Sequence, residues 1–187
     1  ADVSGKGVNA AFHVAKMKGI FNALSQTEMD LEHFILKAND AVCECFEKGV
    51  YITLILLKID IKNKLLTWSR SGHCPIIYWD NNNKEANILD DKGLGLGILK
   101  SQKFKQHCHV NQRNYNEGDL IILYTDGVVE ARNENKEEYG EARLNACIDS
   151  GSVISAQTLE KAIVADLKQF IGSQKVFDDI TSLIIKL

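Results

Sequence analysis

Four short segments of this chain set oxygen-rich side chains where chemistry could be done: Asp2-Val3-Ser4-Gly5-Lys6-Gly7, Ser71-Gly72-His73-Cys74-Pro75, Tyr124-Thr125-Asp126-Gly127 and Asp178-Asp179-Ile180-Thr181. Three of them carry an aspartate at the junction between an apolar, strand-like run and a glycine-containing or polar turn. A strand end aims a short carboxylate outward, and a neighbouring glycine lets the backbone turn away, leaving room for an ion or a phosphate. Aspartate suits hard divalent cations, because Mg2+ and Mn2+ prefer oxygen donors and Mg2+ keeps several waters while taking few protein carboxylates. Two such ions about 3.5–4 Å apart lower the pKa of a shared water and clamp a phosphate for in-line attack. Taken singly, an Asp-Gly after a strand is a turn; the joint occurrence points to a metal site.

Other polar groups weigh less. His107-Cys108-His109 puts two histidines on one strand face, but no third ligand lies near them in the sequence, so the pattern reads as an exposed strand. His73 has no partner visible in sequence and reads as a structural strand-turn element. Gly5-Lys6-Gly7 lacks the Ser or Thr and the upstream glycine of a P-loop, and Lys6 reads as a solvated lysine near a helix start. Asp80–Asp91 has Glu85 where a calcium loop needs glycine. Cys43, Cys45 and Cys147 fall in helical patterns as packing residues.

The elements that must position the aspartates follow from periodicity. Ala11, Val14, Met17, Phe21 and Leu24 recur as one face of a helix over Ala10–Leu24. Leu31, Phe34, Ile35, Ala38, Val42 and Cys45 do the same in a second helix, ending by Gly49. The pattern then changes to strands: Tyr51–Ile61 and Leu65–Ser71 as a hairpin about Lys62-Asn63, then Pro75–Trp79, Ala86–Leu89, Phe104–Val110 and Asp119–Tyr124. Gly93-Leu94-Gly95-Leu96-Gly97 reads as a flexible loop between them. Helices return at Glu141–Cys147 and Ala156–Ile171, and Ile180–Leu187 closes the chain as a strand. Helices, antiparallel strands, helices and a returning strand imply an α+β layered domain.

Bulk properties narrow the function classes. A chain of 187 residues, 45% hydrophobic and 25% charged, suffices for one soluble domain. A net charge of −3 with scattered Lys and Arg gives no footprint for nucleic acid. The apolar runs are strand-length, too short for membrane insertion by this chain. Five cysteines without a CxxC pair fit a reducing, cytoplasmic setting. The start at Ala1, with neither Met nor a leader-like run, reads as a cut inside a longer polypeptide. A second apolar face at Ile20, Ala23, Met29 and Leu36 leaves room for a homodimer through the N-terminal helices.

The ordered set Asp-Val-Ser-Gly-Lys-Gly-x-x-Ala-Ala, Ser-Gly-His-x-Pro, Gly-Asp-x-x-x-x-Tyr-Thr-Asp-Gly-Val-x-Glu-Ala and Asp-Asp-x-Thr resembles the PPM serine/threonine phosphatases of the SpoIIE/RsbU type over nearly the whole chain. Thr53, Gly95-Leu96-Gly97 and Tyr139-Gly140 support the match. The resemblance implies an αββα sandwich of two antiparallel sheets flanked by helices, with a dinuclear Mn2+ or Mg2+ site. Asp2 would bridge both ions, the Val3 carbonyl would add a ligand to one, and Asp126 and Asp178 would hold the other. Asp179 would hydrogen-bond to the shell and Gly127 would permit the turn. The implied reaction is hydrolysis of phosphoserine or phosphothreonine on a protein, such as a small anti-sigma-factor antagonist, by a metal-activated water.

The family also carries, upstream of its Asp-Val-Ser-Gly-Lys-Gly segment, two strands with a Gly-Gly-Asp-x-x-Asp-like motif that supplies a further acidic ligand. Residues 1–187 then read as a single phosphatase domain truncated at its N-terminus, with the N-terminal strands missing and a sensor domain, membrane-tethered or not, upstream in the parent protein. Ser4 stands where eukaryotic relatives place a histidine general acid. The alternative to an enzyme is a non-catalytic regulatory or protein-binding module on the same fold, a pseudophosphatase.

Overall fold

The computed structural model describes residues 1–150, 155–176 and 178–187. In chain order the elements are β1 (Asp2–Val3), α1 (Gly7–Ser25), α2 (Leu31–Cys45), β2 (Ile52–Asp60), β3 (Leu65–Ser71), β4 (Ile76–Asp80), β5 (Glu85–Leu89), α3 (Ser101–Lys105), β6 (Asn111–Asn114), β7 (Leu120–Tyr124), α4 (Asp126–Val129), α5 (Gly140–Ser150), α6 (Ala156–Ile171) and β8 (Ser182–Lys186). They form two compact units: Ala1–His73 with Asp91–Asn114, and Cys74–Asp90 with Tyr115–Leu187. Each unit holds one antiparallel sheet with helices flanking it.

In the first unit the sheet order is β1-β2-β3-β6. Alternation along β2 sends Ile52 and Leu54 into a core with Ile35, Ala38 and Val42 of α2 and Phe104 of α3. Burying such a Leu or Ile contributes about 1.5–3 kcal/mol each, which is what holds helix to sheet. Asp30 caps α2 by accepting the His33 N–H at 2.8 Å.

The apolar stripe of α1 differs from the one the spacing predicts. His13 is its buried residue, Met17, Ile20, Phe21 and Leu24 pack on the core, and Val14 stays exposed with Val8 and Phe12. The seam of α1 lies along α2, through a His13–Phe46 stack and a Phe21–Phe34 edge contact. Ile20 and Leu36, assigned from sequence to a second face, pack against this core.

Two further expectations are corrected. Phe104–Val110 is not a strand: Phe104 is the buried anchor of α3, and pairing with β3 begins only at Asn111, opposite Trp68. Among the described residues, the stretch through His107, Cys108 and His109 has no strand across from it, so its alternation finds no ladder. Gly93–Gly97, expected to be flexible, is pinned. Leu96 and Ile52 exchange backbone hydrogen bonds at 2.8 and 3.0 Å. Asn39, fully buried, accepts from Gly97 N and donates to Leu99 O, both at 3.0 Å. A Cβ on Gly93 would lie 1.8 Å from the Arg70 carbonyl oxygen, so only glycine fits that approach.

In the second unit the order is β5-β4-β7-β8. Ile77, Trp79, Leu120 and Ile122 pack against Leu144 and Ile148 of α5 and Leu159, Ile163 and Leu167 of α6. Ser155 caps α6 by accepting the Thr158 N–H at 3.1 Å. At the opposite end of β7, the wholly buried Asp119 accepts from Tyr78 Oη, from Asn81 N at 2.9 Å and from Asn116 N at 2.7 Å. Those donors tie β4, the β4–β5 turn and the start of β7 to one carboxylate.

Candidate metal centre

β7 and β8 pair antiparallel through Tyr124 and Ser182, so the residues after one strand lie beside the residues before the other. Thr125 stitches the two ends together. Its N–H donates to Thr181 O at 3.0 Å, its hydroxyl donates to Asp179 O at 3.0 Å, and the same hydroxyl accepts from Thr181 N at 3.0 Å. Thr125 is also the residue before α4, and its side chain makes no cap bond because the hydroxyl is engaged by the β8 side.

Gly127 lets the chain come this close. It is buried, and a Cβ there would stand 2.5 Å from Asp179 O and 3.5 Å from the Asp178 carbonyl carbon. Any side chain would push the Asp178-Asp179 backbone away from Asp126. Asp126, half-buried at the start of α4, and exposed Asp178 are each held by the next amide along: Gly127 N to Asp126 Oδ1 at 2.9 Å and Asp179 N to Asp178 Oδ1 at 2.8 Å. The Oδ2 of each has no hydrogen-bond partner among the described residues.

Asp2 and Val3 belong to the first unit, where Asp2 is exposed and Val3 buried. β1 is two residues long, and Ser4 clamps it: Ser4 N donates to Tyr51 O at 3.0 Å and Ser4 Oγ accepts from Tyr51 N at 2.9 Å. Asp2 stands opposite Thr53, whose hydroxyl meets His73 Nδ1 at 2.8 Å. Lys6, exposed, precedes α1.

The fold therefore brings Asp126, Gly127, Asp178 and Asp179 to neighbouring strand ends of one unit, and sets Asp2 and Val3 on an edge strand of the other. Among the described residues no group of three or more His, Cys, Asp or Glu side chains forms a ready cage. The candidate donors are oxygens throughout, carboxylates and one carbonyl, which fits Mg2+ or Mn2+ and not a thiolate- or imidazole-bound metal. Sequence reasoning passed over Thr125 and Ser4 as fastening residues. Their signal was present: a hydroxyl residue adjoining or following each key aspartate segment can replace a missing ladder bond.

Sheets with flanking helices, closed by acid-bearing turns at strand ends, define the PP2C-type phosphatase fold. The chain superimposes on the SiaA PP2C domain of Pseudomonas aeruginosa with a TM-score of 0.83 at 16% identity, covering 99% of this chain and 73% of that one. It matches the serine/threonine phosphatase PstP, solved in complex with two manganese ions, with a TM-score of 0.62 at 15% identity, covering 97% of this chain and 84% of that one. The family model described as Stage II sporulation protein E (SpoIIE) matches residues 1–187, and the chain belongs to that family. Phosphoserine phosphatase RsbU of Bacillus subtilis is 28% identical over 186 residues, which are 100% of this chain and 54% of that relative. The chain thus spans about half the length of that curated relative.

Proposed function

We propose that both units form one phosphatase domain that hydrolyses phosphoserine or phosphothreonine on a protein in bacterial signalling. The observation that supports the reading is the Gly127 approach, which brings the residue after Asp126 against the Asp178-Asp179 backbone in a chain of the SpoIIE family. Asp2, the Val3 carbonyl, Asp126 and Asp178 would hold Mn2+ or Mg2+. When bound, such ions activate water and neutralise charge on the transferring phosphoryl group. The chain's own part is positioning. Gly127 N and Asp179 N fix one oxygen of each carboxylate, leaving the other directed away from those amides, and Thr125 keeps the two strand ends from separating. Asp179, through its backbone, supports this arrangement.

The substrate class proposed is a small phosphorylated anti-sigma-factor antagonist, in the cytoplasm, where the five free cysteines suit a reducing medium. Among the described residues no helix is long and apolar enough to cross a membrane. The test is Mn2+-dependent phosphate release from p-nitrophenyl phosphate and from a phosphoserine antagonist, by this chain and by a longer one extended upstream of Ala1. Turnover that needs Mn2+ and is lost in Asp126→Asn supports the reading. A folded, metal-binding protein with no turnover above Asp126→Asn would instead identify a non-catalytic binding module.

A further inference from the structure

Asp2 has a demanding position: a carboxylate on a two-residue edge strand, exposed, on the β1 end of its sheet. Its neighbours Val3 and Ile52 point into the core with Ile35, Ala38 and Val42 of α2. Alternation then sends Asp2 and Thr53 to the other face, away from that core. Directly opposed residues of an antiparallel pair stand about 4.5–5.5 Å apart at Cβ, within reach of a side-chain hydrogen bond.

Thr53 is in turn held by a far more rigid group. Its hydroxyl meets Nδ1 of His73 at 2.8 Å, and His73 is buried, 7% exposed. Gly72, with φ of 70°, turns the chain after β3 so that this ring comes back onto β2. The His73 carbonyl accepts from Arg70 Nε, Arg70 donates again to the Asp91 carbonyl, and the Asp91 carboxylate accepts from Trp68 Nε1 at 2.6 Å.

A threonine hydroxyl has one proton to give. If it donated to Nδ1, it would have only lone pairs to offer a carboxylate reaching across from Asp2, and these would repel it. If Nδ1 carries the proton and donates, the hydroxyl proton is left for the carboxylate. We infer that His73 and Thr53 are positioning residues for Asp2: His73, in its Nδ1–H tautomer, donates to Thr53, which donates to the Asp2 carboxylate and fixes its rotamer for a divalent cation. The relay rests on the reading of Asp2 as a metal ligand. Partners behind a metal ligand typically alter metal affinity about 10–100-fold.

The experiment is calorimetric titration of Mn2+ into the full chain and its Asp2→Asn, Thr53→Val, Thr53→Ser, His73→Leu and His73→Asn variants, with metal-free melting curves for each. Thr53→Val and His73→Leu each weaken the Asp2-dependent uptake about 10-fold. The double variant loses no more than one single, since both break the same relay. Thr53→Ser and His73→Asn, which puts an amide N–H where Nδ1 stands, restore most of the affinity. Nitrogen NMR of the metal-free chain reads His73 as the Nδ1–H tautomer. Parent-like affinity in Thr53→Val alongside loss in Asp2→Asn overturns the relay alone, as does an Nε2–H tautomer. Parent-like affinity in Asp2→Asn overturns the metal reading at Asp2, and the relay with it.

Discussion

At the residue scale, the site depends on atoms that are missing as much as on those present. Gly127→Ala would put a Cβ at 2.5 Å from Asp179 O, a backbone atom that cannot swing aside. Relief requires the β7 and β8 ends to part, which is expected to cost about 1–3 kcal/mol. Urea unfolding should show that loss, with Mn2+ affinity falling alongside, whereas a parent-like midpoint would mean the approach is slack. The placement of Asp126 just past one strand and Asp178 just before another was legible in the sequence, because Asp-Gly and Asp-Asp adjoin apolar, Ile-containing runs. Thr125 was not legible in this role. A threonine before a helix reads as a cap, and only the β8 strand, distant in sequence, reveals that its hydroxyl is bonded across the pair.

Elements are held in place by polar groups that periodicity does not weigh. α5 and α6 are joined by Asp166, whose carboxylate accepts both Arg143 Nε and Nη2 at 2.9 Å and the Tyr139 hydroxyl at 2.7 Å. The Arg143 guanidinium also lies over the Phe170 ring at 4.8 Å. Hydrogen bonds from Arg143, then from Tyr139, hold the Asp166 carboxyl below the usual carboxylate range, against an opposing push from burial. Burial and the Asp166 bond push the Tyr139 phenol well up, so it stays a donor throughout the neutral range. A carboxyl with a lowered folded pKa stabilises above its unfolded value near 3.9 and loses that contribution as pH falls through the folded value. The melting temperature of the parent should therefore exceed that of Asp166→Asn at pH 7, with the gap closing below about pH 4. A gap that persists unchanged at pH 3 would show that the charge is irrelevant.

The element boundaries show where periodicity suffices. Ala156–Ile171 and Leu65–Ser71 were readable to the residue, because each is an uninterrupted amphipathic run with a turn or cap at its end. α3 was not, because five residues are too few to show a helical period and Phe104 is equally apt as a strand residue. The face of α1 was misjudged because His13, a polar residue, occupies its buried line while Phe12 and Val14 stay exposed. The glycine run at Gly93–Gly97 looked loose for a related reason. Glycine signals backbone freedom in sequence, but here it permits contact with Arg70 and Ile52.

For the whole molecule, the family and the sheets were legible from four motifs in order, while Asp2 and the Asp126–Asp178 pair of strand ends fall in separate units. Asp2 belongs to one unit and Asp126 and Asp178 to the other; under the proposed function, substitution in either unit weakens Mn2+ binding. A cation that binds the folded chain and not the unfolded one stabilises it by mass action, about 2.7 kcal/mol at a hundredfold excess over Kd. Mn2+ should therefore raise the melting temperature of the parent, and Asp2→Asn and Asp126→Asn should each diminish the rise. A rise surviving both substitutions would place the ion elsewhere.

The most direct measurement is phosphate release from a phosphoserine protein substrate by the parent and Asp126→Asn, with Mn2+ and then with excess EDTA. The proposed function predicts turnover in the parent alone, abolished by EDTA and restored by Mn2+, with the Asp126→Asn rate lower by about 100-fold. Equal release by the two proteins, or release indifferent to EDTA, would contradict it.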